Sequence, residues 1–130
     1  MRPEKNEIFI AIDGDDVGSR IELFLLENHM LELQEYSNKF NAAIDWLLES
    51  LVAEFGATVY LKGGDSILVG MDVNPRINVV IDKLRKQFAR KSGNTVSVGI
   101  GSSSLDAYLA LKYAKASGKN LVKHYSDIHS

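Results

Sequence analysis

Two acidic stretches hold the residues of this sequence that could do chemistry. The first is Asp13-Gly14-Asp15-Asp16, directly after the apolar run Ile8-Phe9-Ile10-Ala11-Ile12. The second is Asp65, in Val59-Tyr60-Leu61-Lys62-Gly63-Gly64-Asp65-Ser66-Ile67-Leu68-Val69. Two β-type runs around a Gly-Gly-Asp tip read as a β-hairpin, with the two glycines supplying the positive φ values of a tight turn. Glycine there also lets a ligand approach the backbone. If the first strand and the hairpin are neighbours in one sheet, Asp13 and Asp65 face each other at strand ends. Two carboxylates so placed suit a hard cation such as Mg²⁺, which takes a few carboxylates and completes its octahedron with water and phosphate oxygens. The matching reaction is in-line phosphoryl displacement. No Gly-Lys-Ser/Thr follows a glycine-rich turn, so there is no Walker loop. The phosphates are instead expected on backbone N–H groups from Gly14 through Asp15, Asp16 and Val17 to Gly18, at the start of a helix.

Each stretch alone also has a structural reading. Gly-Gly hairpin turns with a polar neighbour are common, and aspartates favour loops and helix N-caps. A calcium loop counted from Asp13 fails, because Val17 and Phe24 stand where oxygen ligands are required. The pair of stretches in a topology that apposes them favours the metal reading. Lys112, Lys115 and Lys119 supply a late positive charge at i, i+3 and i+7, on one helix face if the helix continues that far. Their ordinary role is a solvated face. His29, His124 and His129 show no spacing that suggests zinc or a triad, and are read as surface or satisfied residues.

The elements that must position these groups follow from periodicity. A continuously apolar first strand covers 7–13 and belongs in the centre of a covered sheet. A short helix over 18–28 and a long one over 31–55 follow, the latter ended by Gly56. Hairpin strands occupy 57–62 and 66–71. Asn74 as N-cap with Pro75 at the first helical position starts a helix that runs to 90, and Gly93 ends it. Thr95-Val96-Ser97-Val98-Gly99-Ile100-Gly101 alternates, giving a strand with one small-residue face. Ser103 caps a last helix, which Gly118 terminates, and a short strand over 121–124 closes the order βααββαβαβ. Its core is the split βαβ, ferredoxin-like pattern. The expected fold is α+β, an antiparallel sheet with helices on one face.

Composition agrees with one domain over 1–130. The chain has 130 residues, 45% of them hydrophobic, enough for a core. It has no cysteine, so disulfides and thiolate metal sites are excluded, in keeping with a reducing cytoplasm. No apolar run approaches a membrane span, and no signal region opens the chain. A net charge of -2 argues against coating duplex nucleic acid.

Four motifs in register resemble the nucleotide-cyclase branch of the palm-domain polymerases. They are Asp13-x-Asp15, Gly63-Gly64-Asp65, Val96-Ser97-Val98-Gly99-Ile100-Gly101 and Tyr113-Ala114-Lys115-Ala116-Ser117-Gly118-Lys119-Asn120. The chain is similar to GGDEF diguanylate cyclases, to the palm of the type III CRISPR polymerase subunit, and most of all to the minimal CRISPR polymerase (mCpol) family. The resemblance implies Asp13 and Asp65 as catalytic metal ligands, the Gly14 carbonyl as a third, and Asp15 and Asp16 in support. It implies Gly63 and Gly64 against the nucleotide, and Lys115 and Lys119 on the triphosphate. The hairpin departs from the family pattern, reading Asp65-Ser66-Ile67. Ile21 and Met30 stand where GGDEF proteins read guanine, so adenine becomes the expected base. The implied activity is a Mg²⁺- or Mn²⁺-dependent nucleotidyltransferase making cyclic di-AMP from two ATP, as a homodimer, in anti-phage signalling through a downstream effector. Rival readings are a GTP cyclohydrolase on the same scaffold and a nucleotide sensor without turnover. A third, an RNA-recognition module, lacks the paired stacking aromatics.

Overall fold

The computed structural model describes residues 6–128. His129 therefore lies outside the described residues. The elements are β1 (Glu7–Gly14), α1 (Val17–Leu26), α2 (Met30–Phe55), β2 (Thr58–Gly63), β3 (Ser66–Asp72), α3 (Ile77–Ser92), β4 (Val96–Gly101), α4 (Ser104–Ala116), β5 (Val122–His124) and α5 (Tyr125–Ile128). This is the expected order with one short helix added at the end. The strands form one sheet in the order β2-β3-β1-β4-β5. The apolar β1 is indeed central, antiparallel to both β3 and β4.

The sheet differs from expectation at one edge. β5 pairs with β4 in parallel, so the sheet is mixed rather than antiparallel. Parallel neighbours require a crossover, and α4 provides it. Helices therefore cover both faces, not one. Alternate residues of the central strands, such as Ile10, Ile12, Val69, Val98 and Ile100, point to one face. There they pack with Phe40, Ile44 and Leu47 of α2 and with Ile81, Leu84 and Phe88 of α3. Fully burying a side chain of this kind contributes about 1.5–3 kcal/mol, so this face holds most of the apolar stabilisation.

The opposite face is built for close approach. A Cβ on Gly99 would lie 2.2 Å from the Ala107 carbonyl oxygen, and one on Gly101 would lie 2.6 Å from the Ala107 nitrogen. Glycine at these two positions lets α4 lie with its buried Ala107, Ala110 and Ala114 against the sheet backbone. The small-residue face of this strand, expected from the alternation, is thus the seat of a helix.

Helix ends largely follow the sequence. Gly56 and Gly93 terminate α2 and α3, and the Ser103 hydroxyl accepts from the Asp106 N–H at 3.1 Å. At α3 the start shifts. Asn74 is not the N-cap; the helix begins at Ile77 behind Arg76. The Asn74 side-chain oxygen accepts from the Arg76 N–H at 2.8 Å, which turns Asn74-Pro75 into the bend that leads in.

Candidate active site

The hairpin and the acidic turn meet as expected. Asp13 lies opposite Ser66 in the β1–β3 register. Gly63 pairs with Ser66 across the hairpin, leaving Gly64-Asp65 as a two-residue turn. Gly64 has φ 59°, whereas Gly63 keeps a strand conformation. One glycine, not two, supplies the positive φ, as in a type II′ turn. The Gly14 N–H donates to the Asp65 carbonyl at 3.1 Å. A Cβ on Gly14 would lie 3.2 Å from Asp65 Oδ2, so the absence of a side chain there lets the Asp65 carboxylate lie over the turn. Ser66, which the sequence did not single out, donates its hydroxyl to Asp13 Oδ1 at 2.7 Å.

Asp15 stands behind this pair. It is 2% exposed. Its carboxylate accepts from the Thr95 hydroxyl at 2.7 Å, the Ser97 hydroxyl at 2.7 Å, Lys115 Nζ at 2.9 Å and the Asn120 N–H at 2.9 Å. Burial raises its carboxyl, and these hydrogen bonds outweigh burial, leaving it below the ordinary carboxylate value. Asp15, expected in support of the metal ligands and among the nucleotide-contacting residues, has its carboxylate engaged in holding the floor of the site together. Asp65 is the opposite case: burial pushes its carboxyl up and the Asp13 charge adds to this, with Lys115 offsetting part.

Lys115 joins the pieces. Its ammonium donates to the Gly14 carbonyl at 2.6 Å and lies 3.1 Å from Asp13 Oδ2. Burial lowers the amine, while hydrogen bonds to Asp15 and Asp13 and their charges more than restore it, so it stays above its ordinary value. Lys119 is not on the same helix face, since α4 ends at Ala116. It takes φ 66° in the following loop and pairs with Asp16. Both lysines still reach the acidic turn, by different routes.

The backbone cradle is narrower than Gly14 to Gly18. The Gly14 and Asp15 N–H groups are used by the Asp65 and Thr95 carbonyls. Asp16, Val17 and Gly18 remain at the start of α1, where N–H groups have no intrahelical partner. Beside them a cavity of about 400 Å³ is lined by Val17, Gly18, Ile21, Tyr36, Phe40 and Asp65. Ile21 lines it and Met30 does not, while Ser37 and Asn41 of α2 add polar groups that the sequence did not flag. Their i, i+4 spacing on a helix was the available signal.

The donor set fits a hard cation. Asp13 and Asp65 offer carboxylates and Gly14 a carbonyl, and the Lys115 ammonium already occupies two of those three groups. Among the described residues no cluster of three or more His, Asp or Glu is gathered. A divalent ion here would complete its shell with water and phosphate oxygens. Among the described residues, too, no helix is long and apolar enough to cross a membrane.

Comparison with known proteins bears on the fold and the family. No curated protein matches the chain. The active GGEEF domain of a diguanylate cyclase from Vibrio cholerae superposes with a TM-score of 0.66 at 15% identity, covering 93% of this chain and 83% of that one. The GGDEF domain of DgcB from Caulobacter crescentus, in complex with c-di-GMP, gives 0.63 at 14% identity, covering 92% and 78%. The Csm1-Csm4 cassette in complex with pppApA gives 0.63 at 19%, covering 89% of this chain and 20% of that one. At such identities these likenesses establish the shared palm-type fold. The family match is more specific: the minimal CRISPR polymerase domain aligns over residues 9–125. With nearly the whole chain matched, the protein belongs to the minimal CRISPR polymerase (mCpol) domain family.

Proposed function

We propose that this domain is a metal-dependent nucleotidyltransferase that joins two nucleoside triphosphates, ATP by preference, into cyclic di-AMP with release of pyrophosphate. The observation that carries this reading is the convergence of Asp13, the Gly14 carbonyl and Asp65 beside the open N–H groups of α1. A bound Mg²⁺ or Mn²⁺ at those three groups would neutralise charge building on the phosphate oxygens. The chain's own residues do the rest. Asp16, Val17 and Gly18 offer N–H groups to the triphosphate. Lys115 and Lys119 add positive charge, and Gly63 and Gly64 keep the hairpin thin where the nucleotide passes. Asp15 fixes Lys115 in place.

The cavity beside Ile21 suits a purine base. Its walls are largely apolar, and Ser37 and Asn41, which can each donate as well as accept, fix no single base edge, so discrimination between purines is modest. The Csm1-Csm4 cassette, bound to pppApA and cA4 in its own structures, supports adenine. Ring closure joins two nucleotides, and a two-fold homodimer with facing sites is the economical way to bring them together. The product would act on a cyclic-nucleotide-responsive effector in anti-phage defence.

Incubation with an equal mixture of the four NTPs and Mg²⁺ or Mn²⁺, followed by mass identification, tests this reading. Cyclic di-AMP should dominate, with a minor share of other purine products. A guanine-only product would overturn the base assignment. A ring-opened GTP product would make the domain a cyclohydrolase, and binding without turnover would make it a sensor. Specific activity should also fall on dilution; a fully active monomer would contradict the dimer.

A further inference from the structure

The loop that brings Lys119 to the acidic turn has a backbone it would not hold alone. Gly118, Lys119 and Asn120 follow one another with φ of 124°, 66° and 53°. Glycine takes positive φ freely and asparagine tolerates it, but a lysine there is disfavoured. Such strain persists only where the surroundings over-determine the backbone, and it clusters at ligand clamps. Two fastenings come from the near side. The Lys119 N–H donates to the Ala114 carbonyl at 3.0 Å. The Asn120 N–H is shared between Asp15 Oδ2 at 2.9 Å and the Ser97 hydroxyl oxygen at 3.1 Å.

The third fastening comes from α3. The Arg85 side chain is 14% exposed. Its Nη1 donates to both the carbonyl oxygen, at 3.2 Å, and the side-chain oxygen of Asn120, and its Nη2 donates to Asp82 Oδ1 at 2.7 Å. A planar guanidinium gripping main chain and side chain of one residue fixes that residue's orientation. Its Nε–H is buried without a hydrogen-bond partner, which costs stability. Asp82 does not require Arg85 for neutralisation, since Lys86 Nζ lies 3.0 Å from its other oxygen. The residue that depends on Arg85 is Asn120, and next to it stands Lys119, paired with Asp16 at the start of α1.

We infer that Arg85 is a positioning residue for the triphosphate: by clamping Asn120 it holds the strained loop and keeps the Lys119 ammonium at the N-terminus of α1. The inference rests on the nucleotidyltransferase reading, in which Lys119 contacts the triphosphate. Arg85 touches no substrate and acts through the loop alone. Lys115 is fastened independently, by the Gly14 carbonyl and Asp13, so the clamp serves one of the two lysines.

Calorimetric titration with a non-hydrolysable ATP analogue and Mg²⁺, arranged as a double-mutant cycle, tests this. Lys119→Ala should weaken binding by about tenfold or less. Arg85→Met, which keeps the aliphatic stem, should weaken it by a similar factor, and Arg85→Lys by less. The Arg85→Met/Lys119→Ala protein should bind no worse than Lys119→Ala, because the clamp has nothing left to position. With Lys115→Ala the losses should add. Amide exchange at Lys119 and Asn120 should quicken in Arg85→Met while β1 and β3 keep their protection. Should Arg85→Met fail to fold, Asn120→Gly opens the same clamp from the other end, keeping the positive φ and the N–H while removing the side-chain oxygen. It should show the same loss of affinity and the same faster exchange. Unchanged affinity in the folded variants, losses that add with Lys119→Ala, or losses that fail to add with Lys115→Ala would overturn the positioning role and leave the proposed activity standing. A wild-type protein that does not bind the analogue would remove the nucleotidyltransferase reading as well.

Discussion

The acidic turn after β1 and the tip of the β2–β3 hairpin hold carboxylates with opposite surroundings. Asp15, in the turn, is sealed among two hydroxyls, an ammonium and a backbone N–H. Asp65, at the tip, is pushed up by burial and by the neighbouring Asp13 charge. A buried carboxylate whose oxygens are all engaged is a structural part, since removing a partner leaves a charge stranded. A carboxylate held beside another without full compensation is where a cation lowers the energy most. Asp15 thus braces the site, whereas Asp65 is left with the unbalanced charge that the proposed role requires.

The largest effect should come from the tip and the strand end. Asp13→Ala and Asp65→Ala should each lower turnover by about 1000-fold or more, because several kcal/mol of charge stabilisation is lost and each 1.36 kcal/mol is tenfold in rate. Both variants should still fold cooperatively, since neither residue belongs to the apolar core. Pyrophosphate release and calorimetry read the two halves, and full activity in either variant removes the proposed site.

Asp15→Asn should reverse that pattern, with loss of stability as its primary effect. It removes the buried charge to which Lys115, the Thr95 and Ser97 hydroxyls and the Asn120 N–H are all bonded, for a cost of about 3 kcal/mol. Urea unfolding measures it; a midpoint equal to wild type would show that the carboxylate is not the brace described. Lys115→Ala and Lys119→Ala should come next, mainly weakening ATP binding. A hydrogen bond to a charged group contributes roughly 1.5–3 kcal/mol, and Lys119, more exposed, should sit at or below the lower end. Unchanged apparent affinity in both would return them to a solvated face.

The smallest effect sharpens the comparison through pH. The folded-state carboxyl of Asp65 lies above its ordinary value of 3.8. The folded protein therefore binds more protons there than the unfolded one, and stability falls as pH rises through that window. Asp65→Asn should melt above wild type at neutral pH, and the gain should vanish below the ordinary carboxylate range. Asp15 has the other sign. Its value lies below 3.8, so its stabilisation is present above that value and is lost as pH falls through the folded one. The deficit of Asp15→Asn should therefore shrink in strong acid. Parallel slopes for the two variants in a pH series of melting curves would contradict the contrast.

The position of the two acids proposed to act was legible in sequence because they lie at strand ends marked by strong punctuation. An apolar run stopped by Asp13 and a Gly-Gly-Asp tip place both acids once the strands pair. The bracing residues were not legible. Thr95, Ser97 and Asn120 lie 80 to 105 positions from Asp15, and only the β1–β4 register and the loop after α4 bring them in. The polar positions of the alternating strand were visible, but not their partner. The place of α4 was half visible. Gly99 and Gly101 announced a small-residue face, whose consequence, a helix on the second face, depends on the crossover to β5. A three-residue strand such as β5 carries too little pattern to reveal its parallel pairing. Lys119 shares a helix face with Lys112 and Lys115 only if the helix continues that far, and α4 stops at Ala116.

The central claim is that Asp13, the Gly14 carbonyl and Asp65 together hold the metal of a bound triphosphate. Its most direct test is Mn²⁺ uptake, read as loss of the free-ion signal in electron paramagnetic resonance, with a non-hydrolysable ATP analogue present. Wild type should take up Mn²⁺, and the Asp13→Ala/Asp65→Ala double variant should show no uptake beyond that of the analogue alone. Equal uptake by the two proteins would contradict the account.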